Sequence, residues 1–193
     1  MTTGPKILAF SGSLRKGSYN QQVVTIAAGG ARAAGAEVTV LNLREIPLPV
    51  YDADLEAGEG LPDNVRTLKG LMRSHDGFLI GSPENNSTLS AALKNAIDWA
   101  SRPDGDEPTL ACFKDKTAVI MAASPGGLGG LRGLGHLRSI LSSIGVLVLP
   151  DQKAIPRVHE ALAADGTLSD PGLQQAIEAL GAKLAEVLAK LHA

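Results

Sequence analysis

Ile7-Leu8-Ala9, continuing as Phe10-Ser11-Gly12-Ser13-Leu14-Arg15-Lys16-Gly17-Ser18-Tyr19-Asn20, reads as a first strand emptying into a hydroxyl-rich turn that opens a helix. Such a turn is how a chain builds a phosphate cradle. Backbone N–H groups stand free at the helix N-terminus, the positive end of the helix dipole faces the ligand, and short hydroxyl side chains can donate. Arg15 and Lys16 add positive charge where a phosphate would sit. An ordinary strand-to-helix turn uses the same glycines and serines, so the loop alone leaves both readings open.

What the loop lacks narrows the kind of phosphate. Gly12 and Gly17 have the spacing of a nucleoside-triphosphate loop, but that motif continues with Lys and then Ser or Thr, whereas Ser18 and Tyr19 follow here. The dinucleotide turn GxGxxG is missing too, because no glycine stands between Gly12 and Gly17. Hydroxyls with one arginine suit a single terminal phosphate monoester, such as that of FMN, better than a pyrophosphate.

Working outward, apolar β-rich runs alternate with helical patterns, which is the signature of a parallel sheet covered on both faces. Strands are expected at residues 7–10, 38–43, 77–81, 118–123 and 146–149, and helices at 20–34, 62–74, 91–100 and about 133–144. A last helix is capped by Ser169 or Asp170, takes Pro171 early, and carries the apolar stripe Leu173, Ile177, Leu180, Leu184, Leu188 and Leu191. Five strands and their helices predict a single α/β domain over residues 1–193: a flavodoxin-like, three-layer, doubly wound parallel sheet of order 2-1-3-4-5. In such sheets ligands bind beyond the carboxyl ends of the strands, so the loops after the first, third and fourth strands should converge. Residues 47–61 form a long, polar, proline-flanked segment, either a flap or a packed arm.

The chain has 193 residues, a net charge of −2, 44% hydrophobic and 20% charged residues, which fits one domain with an ample core. Its near-neutral balance and scattered basic residues give no reason to expect nucleic acid as a partner. No apolar run approaches the roughly 20 residues that span a bilayer, and Met1–Lys6 leads straight into the first strand, so neither a membrane anchor nor a signal peptide is expected. The single cysteine, Cys112, excludes an internal disulfide and fits a reducing, cytoplasmic compartment. His75, His136, His159 and His192 lie far apart, so no metal site is expected.

Two further loops carry chemistry. After the third strand comes Ser82-Pro83-Glu84-Asn85-Asn86-Ser87, where backbone groups can face the donor and acceptor edge of a planar ring. The fourth strand ends in Ser124-Pro125-Gly126-Gly127, whose glycines let backbone approach a ligand closely. The chain resembles the NADPH-dependent FMN reductase family, which includes quinone, chromate and azo-dye reductases. The resemblance runs through nearly the whole chain and is carried by Gly12-Ser13-Leu14-Arg15 with Ser18 and Asn20, by Ser82-Pro83-Glu84-x-Asn86 with Leu93-Lys94-Asn95-Ala96-Ile97-Asp98-Trp99, and by Ser124-Pro125-Gly126.

That resemblance implies that Ser11, Ser13, Arg15, Ser18 and Asn20, with Tyr19 beside them, hold the FMN phosphate. Pro83, Glu84, Asn85 and Asn86 would line the ring, with Ser124 and Gly126 on its far side. It also implies NADPH or NADH as hydride donor, a small-molecule electron acceptor and a homodimer or homotetramer with the Lys94–Trp99 helix near an interface. Hydride transfer through a flavin requires no catalytic acid or base from the protein, so none is assigned. One position departs from the family pattern: Asn85 stands where a tyrosine is usual. Loss of its aromatic edge is worth ~1 kcal/mol, about fivefold in affinity.

An electron-carrier flavodoxin and a non-catalytic flavin-binding domain are the rival readings. The first fits poorly with 3% aromatic content and no aromatic in the 83–87 loop. Trp99 reads as packing, Lys94 and Asp98 as a helix-face ion pair, Cys112 as inert and His136 as solvent-facing. Arg102 and Arg132 are both candidates for the 2′-phosphate of NADPH.

Overall fold

Alternation along the first strand sorts the core into two halves. Leu8 and Phe10 point to one face of the sheet, Ile7 and Ala9 to the other, and both faces are dry. The computed structural model describes residues 4–192, so the first three residues of the leading segment lie outside it. Five strands form the sheet: β1 (Lys6–Ser11), β2 (Glu37–Asn42), β3 (Gly77–Gly81), β6 (Thr117–Ala123) and β7 (Leu147–Ile155). Their order is β2-β1-β3-β6-β7 and every pairing is parallel. This is the expected 2-1-3-4-5 arrangement, since a small hairpin, β4 (Glu84–Asn85) with β5 (Thr88–Leu89), intervenes in the chain.

On one face lie α1 (Tyr19–Ala33) and α7 (Pro171–Leu191); α3 (Asp63–Arg73), α4 (Ala91–Ala100) and α5 (Leu131–Ser143) cover the other. The α1–α7 crossing is unusually tight. A Cβ on Gly181 would come within 1.8 Å of the Ala27 carbonyl oxygen, and one on Gly30 within 2.0 Å of that of Glu178. Asp170 caps α7 by accepting from Gly172 N, with Pro171 in the first turn.

Residues 47–61 are a packed arm that contains a short helix, α2 (Ala53–Glu59). Trp99 holds it: the buried indole Nε1 donates to Pro49 O at 2.8 Å and meets the Tyr51 ring edge-on at 4.9 Å. Asn95 braces both sides, accepting from Tyr51 N and donating to Pro49 O. Arg102 pairs with Glu56 at 2.8 Å, and its hydrogen bond holds that carboxyl below the usual carboxylate range.

The edge strand β7 runs six residues beyond the expected 146–149. Its register against β6 slips between Ala118 and Ile120, and the bulge admits Pro150, which an edge strand tolerates. A one-turn helix, α6 (Val158–Ala161), follows it and precedes α7. No described helix is long and apolar enough to cross a membrane.

Candidate functional site

Three loops leave the carboxyl ends of β1, β3 and β6 and are tied to one another by hydrogen bonds across long stretches of sequence. Gly12 N donates to Gly81 O at 2.9 Å, and Ser82 N donates to Met121 O at 2.7 Å. Ser90, the N-cap of α4, donates its hydroxyl to Gly12 O at 2.6 Å while accepting from Leu93 N at 3.2 Å. Asn20 clamps the far side: its Nδ2 donates to Ala123 O and its Oδ1 accepts from Ala123 N, both at 2.9 Å. The site is therefore built on the sheet rather than hung from mobile tips.

Between the loops lies a cleft of about 530 Å3, within the ~300–1,000 Å3 that small ligands and cofactors occupy. Ser13, Arg15, Ser18, Tyr19 and Asn20 line it from the first loop and the start of α1, Pro83, Glu84 and Asn85 from the loop after β3, and Ser124 from the loop after β6. Of the sequence-nominated residues, Ser11, Asn86 and Gly126 stand outside this lining. Ser11 is buried beneath the first loop, where its Oγ accepts from Ser13 N. Gly126 is exposed, and its N–H donates to Ser124 Oγ. Asn86 sits at the hairpin turn with Ser87, both with positive φ, 51° and 67°. A two-residue turn of that kind is type I′.

The first loop is shaped by its own hydroxyls. Ser13 Oγ accepts from Arg15 N at 3.3 Å, and Ser18 Oγ caps α1 by accepting from Gln21 N. The first helical N–H groups, those of Tyr19 and Asn20, have no intrahelical acceptor, and no described residue accepts from them or from Leu14 N. Arg15 lies over the Tyr19 ring, 4.8 Å from its centroid. Among the described residues lining the cleft, only Arg15 and Glu84 carry charge. The Glu84 carboxylate is already engaged: its Oε2 accepts from Gly133 N at 2.9 Å, capping α5, whose own N-cap, Gly130, has no side chain to offer. What faces the cleft is thus positive: a guanidinium and a helix N-terminus.

Those features fit a phosphomonoester tail at the Ser13–Asn20 end. The Pro83–Asn85 backbone and the apolar Ala91 and Ala92 leave room for a planar ring at the other. Sequence reasoning did not nominate Gly12, Leu14, Ser90, Ala91, Ala92, Ala123 or Pro125 as site residues, and all of them line the cleft; Ser90, Ala91 and Ala92 also lie outside the motifs it quoted. A serine directly before the Ala91 helix start was a legible cap signal, whereas its bond to Gly12 was not. Other side chains stand as expected. Lys94 pairs with Asp98 at 2.6 Å, His136 is exposed, and burial pushes the enclosed Cys112 thiol up, away from reactivity.

The strand order and the cleft at its topological switch point define a protein of the flavodoxin-like class. Residues 5–160 match the NADPH-dependent FMN reductase family, to which the chain belongs. An NAD(P)H-dependent FMN reductase of Pseudomonas aeruginosa is 36% identical over 179 residues, covering 92% of each chain. A quinone reductase of Escherichia coli is 38% identical over 144 residues, 75% of this chain and 73% of that one. Among solved structures, the flavoenzyme FerB, an NAD(P)H:(acceptor) oxidoreductase of Paracoccus denitrificans, superposes with a TM-score of 0.78 at 28% identity, covering 96% of this chain and 98% of its own. The fold, the FMN and the nicotinamide dependence expected from the sequence are those of this oxidoreductase family.

Proposed function

We propose that this chain holds FMN in the cleft, with its phosphate against Ser13, Arg15, Ser18 and the free N–H groups of Tyr19 and Asn20, and its ring over Pro83–Asn85. Bound there, FMN supplies hydride acceptance from NAD(P)H and donation to a quinone-type acceptor, the two exchanging in turn at one open side. The observation that carries this reading is the convergence of unsatisfied N–H donors, Arg15 and a helix N-terminus at one end of a cleft sized for a cofactor. Ser11, Gly126 and Asn86 act outside the lining: Ser11 Oγ accepts from Ser13 N and shapes the first loop, Gly126 N–H donates to Ser124 Oγ, and Asn86 sets the hairpin turn. Asn20 and Ser90 keep the three loops in register, so the ring would meet preorganised backbone groups.

A homo-oligomer is supported by three large apolar side chains left about half exposed: Leu14 in the first loop, Leu128 in the turn after β6, and Leu131 at the start of α5. The single buried thiol supports a cytoplasmic setting. Purified protein should turn yellow with added FMN, and should oxidise NADPH only when FMN and a quinone are both present. Initial-rate plots against the two substrates should give parallel lines. Failure to bind flavin even at high micromolar FMN refutes the proposal and favours a non-catalytic domain. A panel of quinone, chromate, azo dye and free flavin then ranks the acceptors.

A further inference from the structure

The first loop is held from outside the cleft as well as from within it. β2 runs parallel to β1 with Asn42 opposite Ser11, so the turn that leaves β2 stands beside the loop that leaves β1. That turn is a short 3-10 helix, Leu43–Glu45, capped by Asn42 Oδ1, which accepts from Arg44 N at 3.1 Å. The cap fixes the Arg44 backbone. Its exposed side chain crosses to the first loop, where Nη1 donates to Leu14 O at 3.0 Å. Among the described residues, Arg44 is the one arginine outside that loop that donates to it. Arg102 is committed to Glu56, and Arg132 donates to Ser87 Oγ. No carboxylate among the described residues forms an ion pair with Arg44, so its charge is not cancelled locally.

Arg44 does not line the cleft, but Leu14 and the residues on either side of it do. A planar trans peptide sets its C=O and N–H in opposite directions. With Leu14 O held toward Arg44, the N–H of Arg15 is turned away from it, onto Ser13 Oγ at 3.3 Å. A hydroxyl has one proton to give and room to accept, so Ser13 accepts from Arg15 N and keeps its own O–H to donate into the cleft it lines. We propose that Arg44 is a positioning residue for the phosphate of the flavin. Through Leu14 O, Arg15 N–H and Ser13 Oγ it keeps the Ser13 hydroxyl, and the backbone from which the Arg15 guanidinium projects, set for a phosphate dianion. Hydrogen bonds in series polarise one another, so a cation at the outer end makes the inner hydroxyl a stronger donor. The proposal rests on the reading of the cleft as a flavin site, and adds to it a residue that never touches the ligand.

Fluorescence titrations of FMN and of riboflavin into the full chain test this in native protein, Arg44→Met and Arg44→Lys. Each is run at low salt and again at about 1 M salt, where a charge acting at a distance is screened. Arg44→Met keeps the apolar stem and loses the donor; it should weaken FMN about fivefold and riboflavin less than about twofold. Arg44→Lys, which keeps one charged donor, should recover part of the loss. The gap between native protein and Arg44→Met should persist at high salt, because the brace acts at contact distance. An FMN affinity unchanged in Arg44→Met overturns the proposal. Equal losses of FMN and riboflavin overturn it too, since that is the pattern of general damage to the loop. A gap that closes at high salt also overturns it, by reducing Arg44 to a distant charge. Native protein that binds neither flavin defeats the proposed function and this proposal with it, whereas a native preference for FMN that survives Arg44→Met intact defeats this proposal alone.

Discussion

Gly12→Ala is the smallest change that should separate a merely polar loop from one seated against α4. A Cβ built on Gly12 would lie 2.5 Å from Leu93 Cβ, 2.9 Å from Ser90 Oγ and 3.1 Å from Leu93 Cδ2. Ordinary carbon contacts sit at ~3.5–4.0 Å, so the loop and helix must separate by about 1 Å. Leu93 Cβ is fixed to the helix backbone and has no rotamer that moves it aside. The same displacement stretches the 2.6 Å bond from Ser90 Oγ to Gly12 O. Overpacking of this kind costs about 2 kcal/mol, and at ~2–4 °C per kcal/mol for a chain of this size the melting temperature should fall by about 4–8 °C. Moving the phosphate end of the cleft relative to its ring end should also weaken FMN by about tenfold, or 1.4 kcal/mol. Gly127→Ala is the control, since nothing lies within 4 Å of its added Cβ; it should change stability by less than ~0.5 kcal/mol. Thermal melts and FMN titrations of both variants check the reasoning. A Gly12→Ala protein as stable and as retentive of flavin as Gly127→Ala would refute it.

Glu84→Ala removes the carboxylate that caps α5 through Gly133 N, so it should cost ~1 kcal/mol and lower the melting temperature by about 2–4 °C. Glu84→Gln, which keeps an acceptor oxygen, should recover part of the loss; an unchanged melt in Glu84→Ala would remove the capping role. Acid should loosen the face formed by the arm and α3. The Arg102 hydrogen bond holds the Glu56 carboxyl below its ordinary value; burial raises that of Glu107, but Lys69 and Arg73 outweigh burial and leave it lowered. Both groups therefore bind protons more readily in the unfolded chain. Their stabilisation is complete above the ordinary carboxylate value near 4.5 and is lost as pH falls through the lowered folded values. Urea midpoints followed from neutral to acid pH should fall over that window, less steeply in Glu107→Gln, and a midpoint independent of pH there would contradict the assignment.

Much of the architecture was legible because burial on two faces leaves a plain record. The limits of Gly77–Gly81 and Ala91–Ala100 coincide with the sequence reading, since each is an apolar run closed by clear punctuation. The missed pieces failed for local reasons. None of the α2 residues is buried, so no apolar stripe announced it, although Asp52 and Gly60 were proper cap signals. The hairpin turn carries Asn-Ser where Asn-Gly would have been unmistakable, and its strands are two residues long. Pro150-Asp151-Gln152-Lys153 looked like a strand ending, because a bulged edge strand needs neither apolarity nor every N–H. At the site, the loops and most of their lining could be named from composition and resemblance. Which side chains are already committed could not. The Asn20–Ala123 clamp and the Glu84–Gly133 cap join residues 103 and 49 apart, and no local pattern encodes such pairs.

The account stands on the claim that the Ser13–Asn20 loop grips a phosphate at the tail of a flavin. Dissociation constants for FMN and riboflavin, measured by flavin fluorescence in native protein and in Arg15→Ala, address that claim most directly. Loss of a charge-assisted contact at an exposed guanidinium should weaken FMN about tenfold or more while moving riboflavin less than about twofold. Equal losses for the two ligands, or native protein that binds riboflavin as tightly as FMN, would contradict it.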